Sequence, residues 1–321
     1  MAKIYDSLTE LVGRTPLVHL KGYEKLHGLK ANIYAKVEYF NPIGSVKDRI
    51  VLKIIEEAEK AGTISPETTT LVECTSGNTG IAVSAFGAIK GYKVQIYIQD
   101  GVSKERTQIM KAFGASVTKI IDVPEVKKVL EETGNDFVAG TTRLKEILRQ
   151  EKGIFFVDQL INPNNPRAHY ETTGKEIWED TDGKLDVVVS AAGTGGTLRG
   201  ISDFVKEKNP GVKVIAVEPT PDDRILTGIH NFTEVPEDRI PANLKGKEGI
   251  FDEVLIAQPE GAFKAAREVA KSDGILVGNS SGAALWGATQ IAQRPEFEGK
   301  KIVVVFPDTG LRYLTTDLFN E

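Results

Sequence analysis

Short β-branched runs alternate with segments of helical period from about Ile33 to Phe306, the pattern of a largely parallel sheet whose crossovers are helices. The runs at 33–37, 70–73, 94–98, 117–121, 187–190, 214–217 and 302–306 predict strands, with a shorter one at 275–277. Between them Ile50, Val51, Ile54, Ile55 and Ala58 recur at helical spacing until Gly62, and Ser103 opens a helix that Gly114 closes. A chain of 321 residues divides by length into about two domains. Length alone leaves open whether they share one sheet. No repeat, low-complexity tract or Pro/Gly/Ser linker separates them, so an interface is expected and not a tether. The stretch 122–153, with weak apolar periodicity and Gly134, Asn135 and Gly140, is the expected mobile or variable segment, and the domain boundary is placed near Gly153.

The net charge of -5 offers no cationic surplus for a nucleic-acid backbone or an anionic membrane, so neither is expected as a partner. Met1 to Asp6 lacks the basic and apolar run of a secretory signal, and no stretch approaches ~18 consecutive apolar residues. A cytoplasmic protein is expected. One cysteine, Cys74, rules out an intrachain disulfide, and the scattered His19, His27, His169 and His230 show no metal-ligand spacing, so no metal is expected.

Four polar or glycine-rich loops follow predicted strands. In the first, Asn41-Pro42-Ile43-Gly44-Ser45-Val46-Lys47-Asp48-Arg49, the lysine falls in the first helical turn. A cation there faces the positive end of the helix dipole at a cost of a few tenths of a kcal/mol or more. A lysine whose charge is disfavoured holds more free amine, which forms imines and abstracts protons. A solvated surface lysine is the competing reading. In the second loop Thr75, Ser76, Asn78 and Thr79 surround Gly77, more polar groups than a helix cap needs, and suited to a carboxylate. The third, Gly193-Thr194-Gly195-Gly196-Thr197, lets the backbone wrap a phosphate. A dinucleotide fold competes here, because Glu218 ends the next strand where a ribose-binding acid would sit, although Leu198 occupies the third glycine position of that fingerprint. The fourth is Gly278-Asn279-Ser280-Ser281-Gly282. In an open α/β sheet such loops converge on one crevice.

With these motifs in place the chain resembles, over nearly its whole length, the cysteine synthase (O-acetylserine sulfhydrylase) family, whose relatives include the catalytic core of cystathionine β-synthase. The likeness rests on Gly44-Ser45-Val46-Lys47-Asp48-Arg49, Thr75-Ser76-Gly77-Asn78-Thr79-Gly80, Gln159 with Asn162-Pro163 and Asn165-Pro166, the 193–197 pentad, and Ser280-Ser281-Gly282-Ala283-Ala284. Fainter echoes lie at Arg14-Thr15-Pro16-Leu17, Thr172-Thr173-Gly174, Val217-Glu218-Pro219 and Pro307-Asp308.

The resemblance implies the fold-type II pyridoxal-phosphate architecture: α/β, with two open, twisted, mostly parallel sheets and helices on both faces. It implies a smaller mobile domain over 41–153 carrying Lys47 and the substrate loop, and a larger cofactor-phosphate domain from 1–40 plus 154–321. The cofactor would be pyridoxal 5'-phosphate, bound through Lys47, with Asn78 on its ring oxygen, Gly193, Thr194, Gly195, Gly196 and Thr197 on its phosphate, and Ser280 (or its neighbour Ser281) at the pyridine nitrogen. Thr75, Ser76, Gly77, Asn78, Thr79, Gln159 and Gly228 would hold the substrate. The implied activity is β-elimination and β-replacement on a β-substituted L-alanine, foremost O-acetylserine plus sulfide to cysteine plus acetate. Alternatives are a cysteine-consuming enzyme that releases hydrogen sulfide, synthesis of another β-substituted alanine and, outside catalysis, a nucleotide-binding regulator. A homodimer is implied, and a serine acetyltransferase is a partner the sequence does not specify.

The chain departs from the family at three places. Cys74 stands where proline is common, and reads as a buried inert thiol. The 122–140 stretch does not follow the family pattern. Thr227-Gly228-Ile229-His230-Asn231-Phe232 replaces a Gly-Ile-Gly run, which puts an imidazole and an amide beside the expected substrate cavity, or else on a solvent-facing loop.

Overall fold

The computed structural model describes residues 4–320 except 76, 100–103, 224 and 247–248. The chain divides into two compact units, Met1–Glu10 with Val51–Asn162 and Leu11–Ile50 with Pro163–Glu321. Among the described residues the ten strands are β1 (Leu17–His19), β2 (Asn32–Val37), β3 (Thr70–Cys74), β4 (Lys93–Ile98), β5 (Ser116–Lys119), β6 (Ile154–Phe156), β7 (Val187–Ala191), β8 (Lys213–Pro219), β9 (Glu253–Ala257) and β10 (Lys301–Phe306). The second unit holds a six-stranded sheet in the order β1-β2-β10-β7-β8-β9, parallel except for β1. The first holds a parallel four-stranded sheet, β5-β4-β3-β6.

The central strands are apolar without alternation because both their faces are covered. In β7 and β10, Val187, Val189, Ile302, Val304 and Phe306 pack on one side with Ala262, Val269, Leu285 and Ala288. Val188, Val303 and Val305 point the other way, toward Leu198, Ile201 and Val205. Each fully buried side chain of this size contributes about 1.5–3 kcal/mol relative to exposure. The edge strand β5, by contrast, is partly solvated throughout.

Several elements differ from expectation for physical reasons. The 275–277 run forms no strand: Val277 makes an isolated antiparallel bridge to Thr309. The run at 117–121 stops at Lys119, and Ile120–Asp122 turns into a 3-10 helix that buries Ile120. The 122–153 stretch carries two helices, Pro124–Glu132 and Phe137–Leu148, whose Val126, Leu130, Leu144 and Leu148 pack with Val72 and Cys74. Asp136 caps the second by accepting from the Val138 and Ala139 N–H groups. Ser103, expected to open a helix, lies outside the described residues; the helix described there is Lys104–Ala112, and Gly114 follows it with φ +89°.

The units are also bounded differently from the 41–153 division. Residues 41–50, Lys47 included, pack with the larger unit. Their tether is visible: Ser45 bridges Asp308, and the Val46 N–H donates to the Pro307 carbonyl at 2.8 Å.

Candidate active site

Lys47 is the first residue of the helix Lys47–Lys60 and is half-buried. The preceding turn is built to hold it. Ser45 Oγ accepts the Lys47 N–H at 3.2 Å, and Asp48 Oδ2 accepts the Ile43 N–H at 2.7 Å. Burial raises the Asp48 carboxyl to about 7, against the pull of the Ile43 N–H and the Arg312 charge. One residue on, Arg49 is buried and anchored by ion pairs. Its guanidinium grips Glu38 (Nε to Oε2, 2.6 Å) and Glu176 (Nη1 to Oε1, 2.7 Å), while Lys36 reaches Glu176 at 2.9 Å and donates to the Thr15 carbonyl at 2.6 Å. Burial opposes ionisation of Glu176, but the Arg49 hydrogen bonds and charge overcome it and hold the carboxyl at about 2. Removing one partner of such a buried network costs roughly 3–5 kcal/mol. The fainter sequence echo at Thr15 thus belongs to the clamp that fixes the start of the lysine helix, its hydroxyl accepting from Arg49 Nη2 at 3.0 Å.

The 193–197 loop leads into the helix Gly196–Lys208, and its N-cap, Gly195 at φ +79°, makes no side-chain capping bond. Only glycine adopts that conformation readily, and a Cβ there would also lie 2.5 Å from Leu244 Cγ. A Cβ on Gly196 would overlap the Asn165 amide. The loop is locked from behind: Asn165 Nδ2 donates to Thr194 Oγ1 at 3.0 Å, Asn243 Nδ2 donates to the Thr194 carbonyl at 2.9 Å, and Thr197 Oγ1 meets His169 Nε2 at 3.1 Å. His169, whose Nδ1 meets Thr173 Oγ1 at 2.9 Å, is buried, and burial with the Arg49 and Lys47 charges drives its pKa well below 6.5. An uncapped helix N-terminus with no side chain of its own on its leading residues is a ready anion site. It fits a phosphate group. Sequence alone assigns no role to His169 or Asn243 and marks Asn165 only as part of the Asn165-Pro166 motif, since these residues brace the loop from behind and no spacing rule marks that.

Ser280 and Ser281 lie in the first turn of the helix Asn279–Ala292, again without a side-chain cap. Ser281 Oγ is buried with no hydrogen-bond partner, whereas Ser280 keeps 9% of its surface exposed. The pair thus offers an unengaged hydroxyl, which fits a ring nitrogen. Beneath it the Tyr313 hydroxyl donates to Asp308 Oδ2 at 2.7 Å.

Beside the 193–197 loop runs the segment containing Gly228, which is exposed at φ +92°. A Cβ on Gly193 would lie 2.5 Å from the Gly228 carbonyl oxygen, and the His230 N–H donates to the Ala192 carbonyl at 2.9 Å. Asn231 is no wall of a cavity: its Nδ2 donates to Glu218 Oε1 at 3.0 Å and to the Pro219 carbonyl at 3.0 Å. Glu218, fully buried, also accepts from the Phe232 and Thr233 N–H groups at 2.8 and 3.2 Å and from the Thr233 hydroxyl. Its oxygens are occupied. The dinucleotide reading therefore loses its ribose-binding acid.

In the other unit, Thr75, Gly77, Asn78 and Thr79 lie where β3 passes into the helix Asn78–Lys90; Ser76 lies outside the described residues. The Gly77 N–H donates to Thr75 Oγ1 at 3.3 Å, and Thr79 Oγ1 donates to Gln159 Oε1 at 2.6 Å, so two predicted substrate-binding residues meet directly. Glu73 ties the pair down, accepting the Gln159 N–H at 3.3 Å and the Cys74 N–H at 2.9 Å. Burial raises Glu73 to about 7, helped by Asp158 and resisted by those N–H groups and Lys145. Cys74 Sγ meets Thr141 Oγ1 at 3.4 Å, and burial pushes the thiol up to about 12, which makes it inert. Among the described residues no cluster of three His, Cys, Asp or Glu could hold a metal, and no helix is long and apolar enough to cross a membrane.

The family described as pyridoxal-phosphate dependent enzyme matches residues 8–308. The chain is 38% identical to cysteine synthase 3 of Caenorhabditis elegans over 316 residues, covering 97% of this chain and 89% of that one. Its fold matches the crystal structure of O-acetyl serine sulfhydrylase isoform 3 from Entamoeba histolytica with a TM-score of 0.85 at 38% identity, over 99% of this chain and 92% of the other. A hydrogen sulfide-producing enzyme from Fusobacterium nucleatum matches with a TM-score of 0.81 at 36% identity, over 97% and 100% of the two chains.

Proposed function

Because the chain belongs to the pyridoxal-phosphate-dependent enzymes of the cysteine synthase and cystathionine β-synthase family, we propose that it performs β-replacement on a β-substituted L-alanine, with O-acetylserine and sulfide giving cysteine and acetate. The observation that carries this reading is the grouping, within one unit, of Lys47, the uncapped 193–197 loop and the Ser280–Ser281 hydroxyls, each at a helix N-terminus. Pyridoxal phosphate, when bound, supplies the electron sink that lets the α-proton and the β-substituent depart. Lys47 holds the cofactor through Nζ and then takes the α-proton on the same atom. The N–H groups of Gly193, Thr194, Gly195, Gly196 and Thr197 bind the phosphate. Ser280 Oγ meets the pyridine nitrogen, and a neutral hydroxyl cannot hold a pyridinium as a carboxylate does, which favours expulsion of a β-substituent over transamination. Asn78 binds the ring oxygen, while Thr75, Ser76, Gly77, Thr79, Gln159 and Gly228 are the substrate-binding residues of this proposal.

A second reading is a cysteine-consuming enzyme that releases hydrogen sulfide; the likeness to the Fusobacterium enzyme supports it. Cytoplasmic location, a homodimer and recognition by a serine acetyltransferase belong to the same proposal on family resemblance. Product analysis with O-acetylserine, serine, phosphoserine and cysteine, each with and without sulfide, separates the readings. Acetate and cysteine from O-acetylserine plus sulfide support the first. Sulfide released faster from cysteine than acetate is from O-acetylserine replaces it with the second.

A further inference from the structure

His230 and Asn231 are chain neighbours with opposite surroundings. The Asn231 amide is engaged on both sides, with Glu218 and Pro219 on its Nδ2 and the Glu234 N–H on its Oδ1 at 2.9 Å. His230 is held only by its backbone, through the Ala192 carbonyl at the mouth of the 193–197 loop. Its ring has no hydrogen-bond partner among the described residues, and it is reached by solvent although protein crowds it. This crowding, followed by the Lys47 charge, lowers the imidazole below 6.5, so the ring is neutral near pH 7. Lys47 is the charged group that bears on it; Glu218, the carboxylate its neighbour Asn231 engages, is already occupied by Asn231, Phe232 and Thr233.

We propose that His230 accepts the S–H proton of the attacking thiol, so that this chain admits its second substrate as a neutral thiol; the inference rests on the β-replacement reading. The balance is simple. Acetate leaves first, with the electrons of its C–O bond, as Lys47 takes the α-proton; the sulfur's electron pair then forms the new bond to the substrate β-carbon, the S–H bond breaks and its proton goes to the imidazole and then to solvent, and Lys47 returns the α-proton to the α-carbon. No oxidant or reductant is needed. A thiol suits this acceptor better than water does, because an ordinary thiol ionises near pH ~8.5, within reach of an imidazole, and bulk water only near ~15.7. The Lys47 charge that lowers the imidazole also favours the thiolate that forms beside it.

The test uses the holoenzyme with O-acetylserine, and sulfide or 2-mercaptoethanol as the thiol, from pH 6.5 to 9, in the wild type, His230→Gln and His230→Gly. Thiol-adduct formation is expressed relative to acetate release, which reads the first half of the reaction separately. The expected wild-type ratio is nearly flat with pH. In both variants it falls at least tenfold at pH 6.5 and recovers toward pH 9 as the thiol ionises, and added imidazole restores His230→Gly. Nitrogen-15 histidine titration of the apoprotein supplies a readout independent of turnover: the His230 pKa rises when Lys47→Met removes the neighbouring charge. Identical pH profiles in wild type and variants, or a His230 pKa indifferent to Lys47→Met, overturn the inference. Absence of acetate from the wild type refutes the β-replacement reading beneath it, whereas acetate release with unaltered thiol profiles refutes the role of His230 alone.

Discussion

Replacing Gly196 by alanine puts a methyl group into the buried Asn165 amide, 2.8 Å from Nδ2 and nearer still to Oδ1 and Cγ. Carbon atoms in contact sit about 3.5 Å apart or more, so the amide has to move. Asn165 has no exposed surface and its Nδ2 holds Thr194 Oγ1 at 3.0 Å. Overpacking of this kind costs about 1–3 kcal/mol, and a buried donor that loses its acceptor adds about 1–3 kcal/mol. Together these give an expected loss of about 2–6 kcal/mol in the stability of the apoprotein, measured by urea unfolding. Because Thr194 lies in the loop proposed to bind the phosphate, cofactor affinity is expected to drop at least tenfold in equilibrium dialysis. Asn165→Ala removes the obstacle, so Gly196→Ala should cost at least 1.5 kcal/mol less in that background, a coupling typical of touching residues. Additive costs in the cycle, or Gly196→Ala with wild-type stability and cofactor affinity, would refute the reasoning.

The Glu176 carboxyl, held at about 2 against an ordinary value of 4.5, contributes stability that is complete above its unfolded pKa and is lost as pH falls from roughly 5 toward 2. The shift corresponds to about 3 kcal/mol. Glu176→Gln should flatten the stability profile across that window, and an unchanged slope in acid unfolding contradicts the clamp. Native Cys74 should resist iodoacetamide at pH 8 and react only after denaturation, because its thiolate is disfavoured by burial; rapid native alkylation counters this.

What the sequence made legible follows from what periodicity can carry. The buried strands β7 and β10 are continuous valine and isoleucine runs, and their burial on two faces is written in that composition. The strands β1 and β6 have three residues each, too few to display a period, and β9 lies at a sheet edge with a mixed pattern. Ile275 to Val277 read as a strand by composition, but their apolar side chains serve a turn that bridges Thr309. At the site, the glycine loop and the lysine turn announced themselves because backbone conformation and helix ends restrict residue choice locally. Its bracing did not: Asn165, His169 and Asn243 act across 28 to 49 residues of chain. The opposite environments of His230 and Asn231 depend on where Glu218 lies, which no local pattern records.

The central claim is that Lys47 carries the cofactor. Borohydride reduction of the cofactor-loaded protein, followed by proteolysis and mass mapping, tests it most directly. The expected result is one reduced phosphopyridoxyl adduct, on the peptide containing Lys47, absent from Lys47→Ala, which should also lose turnover by several orders of magnitude. An adduct on another lysine in the wild type, or one that persists in Lys47→Ala, contradicts the account.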